Sequence, residues 1–136
     1  MGDPVCSFCD LIRDEREISV VDGNEHVVCF MDAFPVARGH VLVVPRRHVL
    51  SIAELSPEEG AALWAATQRL AARVRARHAP AVNLHLSDGV EADQDVPHVH
   101  MHVVPRSADD RVVIDLPGRR ASRRELDDVA ATLRTD

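Results

Sequence analysis

The sequence predicts an α+β fold, an antiparallel sheet carrying one long and one short helix. Three observations lead there. Short β-branched runs bounded by Gly, Pro, Asp and Asn read as strands. One long segment with apolar residues at helical spacing opens on a capping signature, Ser56-Pro57-Glu58-Glu59. Between Pro97 and Pro105, His98, His100 and His102 alternate with Val99, Met101 and Val103. That is the period of a strand, so the imidazoles would share one face and the apolar residues the other.

Taken in order, residues 1–5 form a lead-in, and Cys6-Ser7-Phe8-Cys9 is a knuckle running into a short turn or helical piece, Asp10 to Arg13. Ile18 to Val21 and Glu25 to Met31 read as two strands joined by the hairpin turn Asp22-Gly23-Asn24. Asp32 to Pro35 breaks the second strand, and a loop runs through Gly39. His40 to Pro45 is nearly all apolar, the pattern of a buried central strand. The long helix follows: Ser56 caps it, Pro57 suits its first position, and Glu59 completes a capping box. Leu63, Ala66, Thr67, Leu70 and Val74 mark its inner face, and it should end near His78. Ala81 to Leu86 is a fourth strand, Ser87-Asp88-Gly89 a turn, and Val90 to Asp95 an acidic loop into the histidine strand. From about residue 107 a polar tail follows, ending in a short helix opened by Ser122-x-x-Glu125.

At 136 residues the chain is expected to be a single domain, 1–136, with one core. Aromatics are only 3%, so Val, Leu, Ile and Ala must fill that core. A net charge of −6 argues against a nucleic-acid-coating surface. No apolar run approaches a membrane span, and a cytoplasmic location with no membrane partner is expected. Three cysteines fit a disulfide framework poorly. Cys29, alone in an apolar run, reads as a small buried hydrophobe.

Two constellations carry chemistry. The histidine row could hold a catalytic metal, or one imidazole could act as a nucleophile while its neighbours bind an anion. The Cys6/Cys9 knuckle supplies two of the four N/S ligands of a closed structural zinc site, with His48 and one histidine of the row as candidates for the others. A redox role fits less well, because a thioredoxin-like Cys-x-x-Cys belongs in a βαβ context that is missing here.

His98-Val99-His100-Met101-His102-Val103-Val104 resembles the His-φ-His-φ-His-φ-φ signature of the histidine triad (HIT) superfamily of nucleotide hydrolases and transferases. Cys6-Ser7-Phe8-Cys9 resembles the knuckle of its zinc-containing, Hint-like bacterial members. Phe30-Met31-Asp32 and Gly39 to His48 resemble the ribose-contacting strand end and the Gly-His-x-Leu-Val-Ile-Pro-Lys-x-His segment. The resemblance implies His100 as nucleophile, with His102 and His40 lining the phosphate site and Asp32 binding ribose hydroxyls. Cys6, Cys9, His48 and His98 would bind a structural zinc, and no catalytic cofactor is expected. It implies a purine nucleotide substrate and a homodimer with a continuous sheet. The implied reaction releases a nucleoside 5′-monophosphate from a phosphoramidate, an acyl-adenylate or a dinucleoside polyphosphate through a nucleotidyl-histidine. The alternatives are a transferase or phosphorylase using that intermediate, and a nucleotide-binding regulator with weak turnover.

The chain departs from the family pattern beside the triad. Ser87-Asp88-Gly89 stands where many members have Asn-x-Gly or Gln-x-Gly, and Asp93-Gln94-Asp95 where many have Gly-Gln-Ser or Gly-Gln-Thr. Ser87, Gln94 and Asp95 are therefore candidate substrate contacts, with Arg106 beyond the triad as a fourth. Arg46 and Arg47 are expected to solvate a strand end, and His78 and His85 to be surface or core histidines.

Overall fold

Each sequence signal for an element corresponds to an element in the computed structural model, which describes residues 6–134. The elements are α1 (Ser7–Arg13), β1 (Val20–Gly23), β2 (Val27–Met31), β3 (Val41–Pro45), α2 (Pro57–Arg77), β4 (Ala81–His85), β5 (Met101–Arg106) and α3 (Arg123–Leu133). The five strands form one sheet in the order β1-β2-β3-β5-β4, with every neighbouring pair antiparallel.

The α2 cap forms as its residues dictate. Ser56 Oγ accepts the Glu59 N–H, and a Glu59 carboxylate oxygen accepts the Ser56 N–H at 2.8 Å. Leu63, Ala66, Leu70 and Val74 then lie against Val27, Cys29, Val41, Val43 and Val103, forming the core on one sheet face. Each fully buried Val or Leu there contributes roughly 1.5–3 kcal/mol. Cys29 is fully buried in this layer, and its thiol is pushed up to about 11, chiefly by burial, which leaves it chemically inert. The opposite face is covered by α1, where Phe8 and Cys6 pack with Val28, Phe30, Leu42 and Val44.

Two differences from the expected elements bear on function. The histidine strand enters the ladder only at Met101, opposite Val43, although β3 itself runs on to Pro45. Upstream of Met101 the chain is held differently: the His98 side chain donates from Nε2 to the Pro45 carbonyl at 2.7 Å, and the Val99 N–H donates to Val49 O at 2.8 Å. Arg47, expected to be solvated, instead forks onto the Glu59 carboxylate at 2.8 and 3.0 Å. It thereby fastens the segment carrying His48 to the start of α2. Beyond β5, α3 has the expected Ser122/Glu125 capping box but buries none of its residues. No helix among the described residues is long and apolar enough to cross a membrane.

Candidate functional site

Two clusters lie on the α1 side of the sheet, separated by the ring of Phe8. Its centroid is 6.1 Å from that of His98 and 5.0 Å from that of His100, both edge-on. The helix α1 thus places one aromatic side chain between a cysteine–histidine group and an open cleft.

In the first cluster the ligand atoms of Cys6, Cys9, His48 and His98 all lie within 4.8 Å of one another. Cys9 Sγ is 3.2 Å from His48 Nδ1, and Cys6 and Cys9 Sγ are each 3.5 Å from His98 Nδ1. A tetrahedral zinc with Zn–S of about 2.3 Å and Zn–N of about 2.0–2.1 Å separates sulfur from nitrogen by about 3.6 Å, so these spacings suit one ion. Because His98 Nε2–H is committed to Pro45 O, its Nδ1 lone pair faces the sulfurs. Burial also holds the His98 imidazole below its ordinary value, in the neutral form that a metal requires. These four residues could hold a metal ion. The row does not converge on a single ion, because His100 turns the other way.

The second cluster borders a cleft of about 690 Å³. Phe8, Leu11, Ile18, Phe30 and Leu42 make an apolar floor, and Asp32, Asp95, His100 and His102 supply polar groups. Hydrogen bonds assign the two imidazoles opposite tautomers. His100 Nδ1–H donates to His98 O at 2.8 Å, which leaves Nε2 as the nitrogen bearing the lone pair. The other ring is set by a longer chain: Val36 N–H donates to His40 Nδ1 at 3.2 Å, so His40 carries its proton on Nε2. That proton is donated to His102 Nδ1 at 2.9 Å, and His102 is left with Nε2–H as a free donor. Asp32 Oδ2 lies 3.4 Å from His40 Nε2, while its Oδ1 accepts the Phe34 N–H at 2.8 Å. Burial, reinforced by His85, His100 and His40, pulls His102 down to about 4, so it is neutral at pH 7. A bare nitrogen and a neutral N–H donor therefore stand side by side, with ring centroids 4.9 Å apart.

The structure brings His40, His100, His102, Asp32 and Asp95 together. Asp95 Oδ1 lies 3.6 Å from His100 Nε2, with its side chain 80% exposed. The other three candidate contacts fall elsewhere. Gln94 is turned away, its amide donating to Leu50 O at 3.1 Å and its carbonyl accepting the Gly89 N–H at 2.8 Å. It staples a loop that needs Gly89 at φ +103°, a region that favours glycine. Ser87 does not line the cleft. The Arg106 guanidinium is engaged with Asp110 at 2.7 Å, Asn83 at 2.5 Å and Val112 O at 3.0 Å, anchoring the tail rather than facing the cleft.

One residue escaped sequence reasoning. His85 stacks on His102, with ring centroids 4.1 Å apart and planes inclined by 10°. The contact follows from the β4–β5 register, in which His85 pairs with His102. Only a register prediction could have found it.

The HIT domain family profile matches residues 13–109. The fold resembles that of a HIT family protein from Bacillus anthracis, with a TM-score of 0.89 and 28% identity, covering 98% of this chain and 97% of that one. A zinc-bound histidine triad family protein from Mycobacterium smegmatis is 32% identical with a TM-score of 0.74, covering 95% of each chain. The adenylylsulfatase HINT3 of Arabidopsis thaliana is 30% identical over 106 residues, which is 77% of this chain and 54% of that protein.

Proposed function

The chain belongs to the HIT domain family, and on that premise we propose that it is a nucleotide hydrolase releasing a nucleoside 5′-monophosphate through a nucleotidyl-histidine on His100. The observation that carries the reading is the pair of opposed tautomers, a bare Nε2 on His100 beside an Nε2–H on His102. The relation to an adenylylsulfatase supports an α-phosphoryl substrate.

The apolar floor receives the base, and Asp32 at the end of β2 accepts the ribose hydroxyls. His100 Nε2 attacks the α-phosphorus in line, and the bond to the leaving group breaks. His102 Nε2–H donates to a non-bridging oxygen, where negative charge builds, and His40 keeps that proton on the correct nitrogen. Water then attacks the phosphorus, the N–P bond breaks with its electron pair returning to His100 Nε2, and one proton of the water passes to solvent. No base is needed to activate His100, because the His98 carbonyl already holds its other proton.

Cys6, Cys9, His48 and His98 would hold zinc. Its charge would keep both thiols deprotonated and tie the start of α1 to the segment entering β5, a structural role. Thiolate ligands suit a reducing compartment such as the cytoplasm. Homodimer formation is supported by the open edge of β4, with Leu84 on it and Ile52 and Trp64 half exposed.

The test is covalent capture. Adenosine 5′-phosphoramidate labelled at phosphorus should leave an acid-labile adenylyl group on the rapidly denatured protein. His100→Ala should abolish the label and lower turnover by at least about 10³-fold. Undiminished turnover by that variant would overturn the proposal.

A further inference from the structure

The charges lining the cleft are one-sided. Among the described residues, Glu17, Asp32 and Asp95 line it and no arginine does; the chain contains no lysine. Arg106, the cation closest in sequence to the triad, is taken up by Asp110 and Asn83. A cleft built to hold a leaving polyphosphate would be expected to present cations to its oxygens.

We infer that Asp95 makes this site select phosphorus–nitrogen bonds over phosphoric anhydrides by acting on the leaving atom. The inference rests on the covalent mechanism proposed above. A phosphorus held for attack about 3–3.5 Å from His100 Nε2 places the leaving atom roughly 5 Å from that nitrogen, on the far side of the phosphorus. Phe8 packs against one side of the His100 ring and His102 against another. The floor and Asp32 take the nucleoside. The leaving group therefore departs over the solvent lip of the cleft, where the exposed Asp95 carboxylate already reaches to 3.6 Å from Nε2.

The two bond types respond to that carboxylate with opposite sign. In a phosphoramidate the bridging nitrogen takes a proton from water and becomes cationic. The P–N electron pair then remains on nitrogen as His100 Nε2 forms its bond to phosphorus. The amine leaves neutral and takes a second proton in solution. Asp95 accepts N–H hydrogen bonds from the cationic nitrogen and stabilises it. In an anhydride the bridging oxygen keeps the electron pair and gains negative charge as its bond breaks, and the same carboxylate opposes that step.

The experiment compares kcat/KM for adenosine 5′-phosphoramidate and for P1,P3-diadenosine triphosphate, in wild type, Asp95→Asn and Asp95→Ser. Both variants should lose on the phosphoramidate and gain on the triphosphate. Each effect should be about fivefold, the size of one exposed charge interaction, so the ratio falls roughly twenty-five-fold. Raising the salt concentration should shrink the wild-type preference and leave the ratio in the variants nearly constant. An unchanged ratio, or equal slowing on both substrates, would overturn the role of Asp95 while leaving the His100 mechanism intact. If wild type cleaves neither substrate and carries no label on His100, the mechanism itself falls and this inference with it.

Discussion

Replacing His102 with asparagine should make the protein's stability less sensitive to acid. In the folded state His102 is held at about 4, by burial first and then by His85, His100 and His40. In the unfolded chain an imidazole titrates near 6.5. The folded state thus binds fewer protons than the unfolded state between these values, so stability is complete above about pH 6.5 and is lost as the pH falls towards 4. The full difference corresponds to about 3 kcal/mol, of which roughly 2 kcal/mol goes between pH 7 and pH 5. The ring is partly open to solvent, and screening reduces the measurable part to about 1 kcal/mol. Urea unfolding at pH 7, 6 and 5 measures it. A carboxamide does not titrate in this range, so the His102→Asn variant, although less stable at pH 7 for want of the His40 hydrogen bond, should lose about 1 kcal/mol less than wild type over that range. His85 and His98, which burial also lowers, are present in both proteins and largely cancel in the comparison. Identical losses in the two proteins would refute the assignment of His102 as a half-buried neutral donor.

Two further outcomes follow from the supports of the site. Cys9→Ser should cut bound zinc, measured by elemental analysis, well below one per chain and lower Tm by at least about 5 °C. The His100 adenylyl label should still form in the folded fraction, and an unchanged Tm would count against a structural metal. Glu59→Ala removes the α2 capping box, at a cost of about 1 kcal/mol in urea unfolding, and releases Arg47. It should therefore weaken zinc retention through the His48 segment, whereas Ser56→Ala, which leaves Arg47 paired, should lose stability alone.

Much of the fold was legible because its signals are local. Strand alternation and the Ser56-to-Glu59 and Ser122-to-Glu125 boxes each depend on a few neighbouring residues, and each has its counterpart in the structure. The hairpin turn expected at Asp22-Gly23-Asn24 falls later, at residues 24–26, because Asp22 and Gly23 pair with Cys29 and Val28 in the ladder. The histidine row was legible as a row, and its division into roles came from resemblance. What separates His98 from His100 physically is the direction of each ring, fixed by Pro45 O for one and by the His98 carbonyl for the other.

Side chains on loops and strand ends were misjudged for a common reason. Gln94 and Arg106 lie near the triad in sequence, but their polar groups are satisfied by Leu50 and Gly89 in one case, and by Asp110, Asn83 and Val112 in the other. Arg47 found Glu59 twelve residues on, and His85 found His102 across a strand pair. By itself the sequence determined the elements, the inner faces of sheet and long helix, and the set of chemically competent residues, since periodicity and residue type are properties of short segments. Only the tertiary structure decided which nitrogen of each histidine carries the proton and which carboxylate stands beside His100. Those depend on partners brought together by register and packing, from as far apart as Val36 and His102.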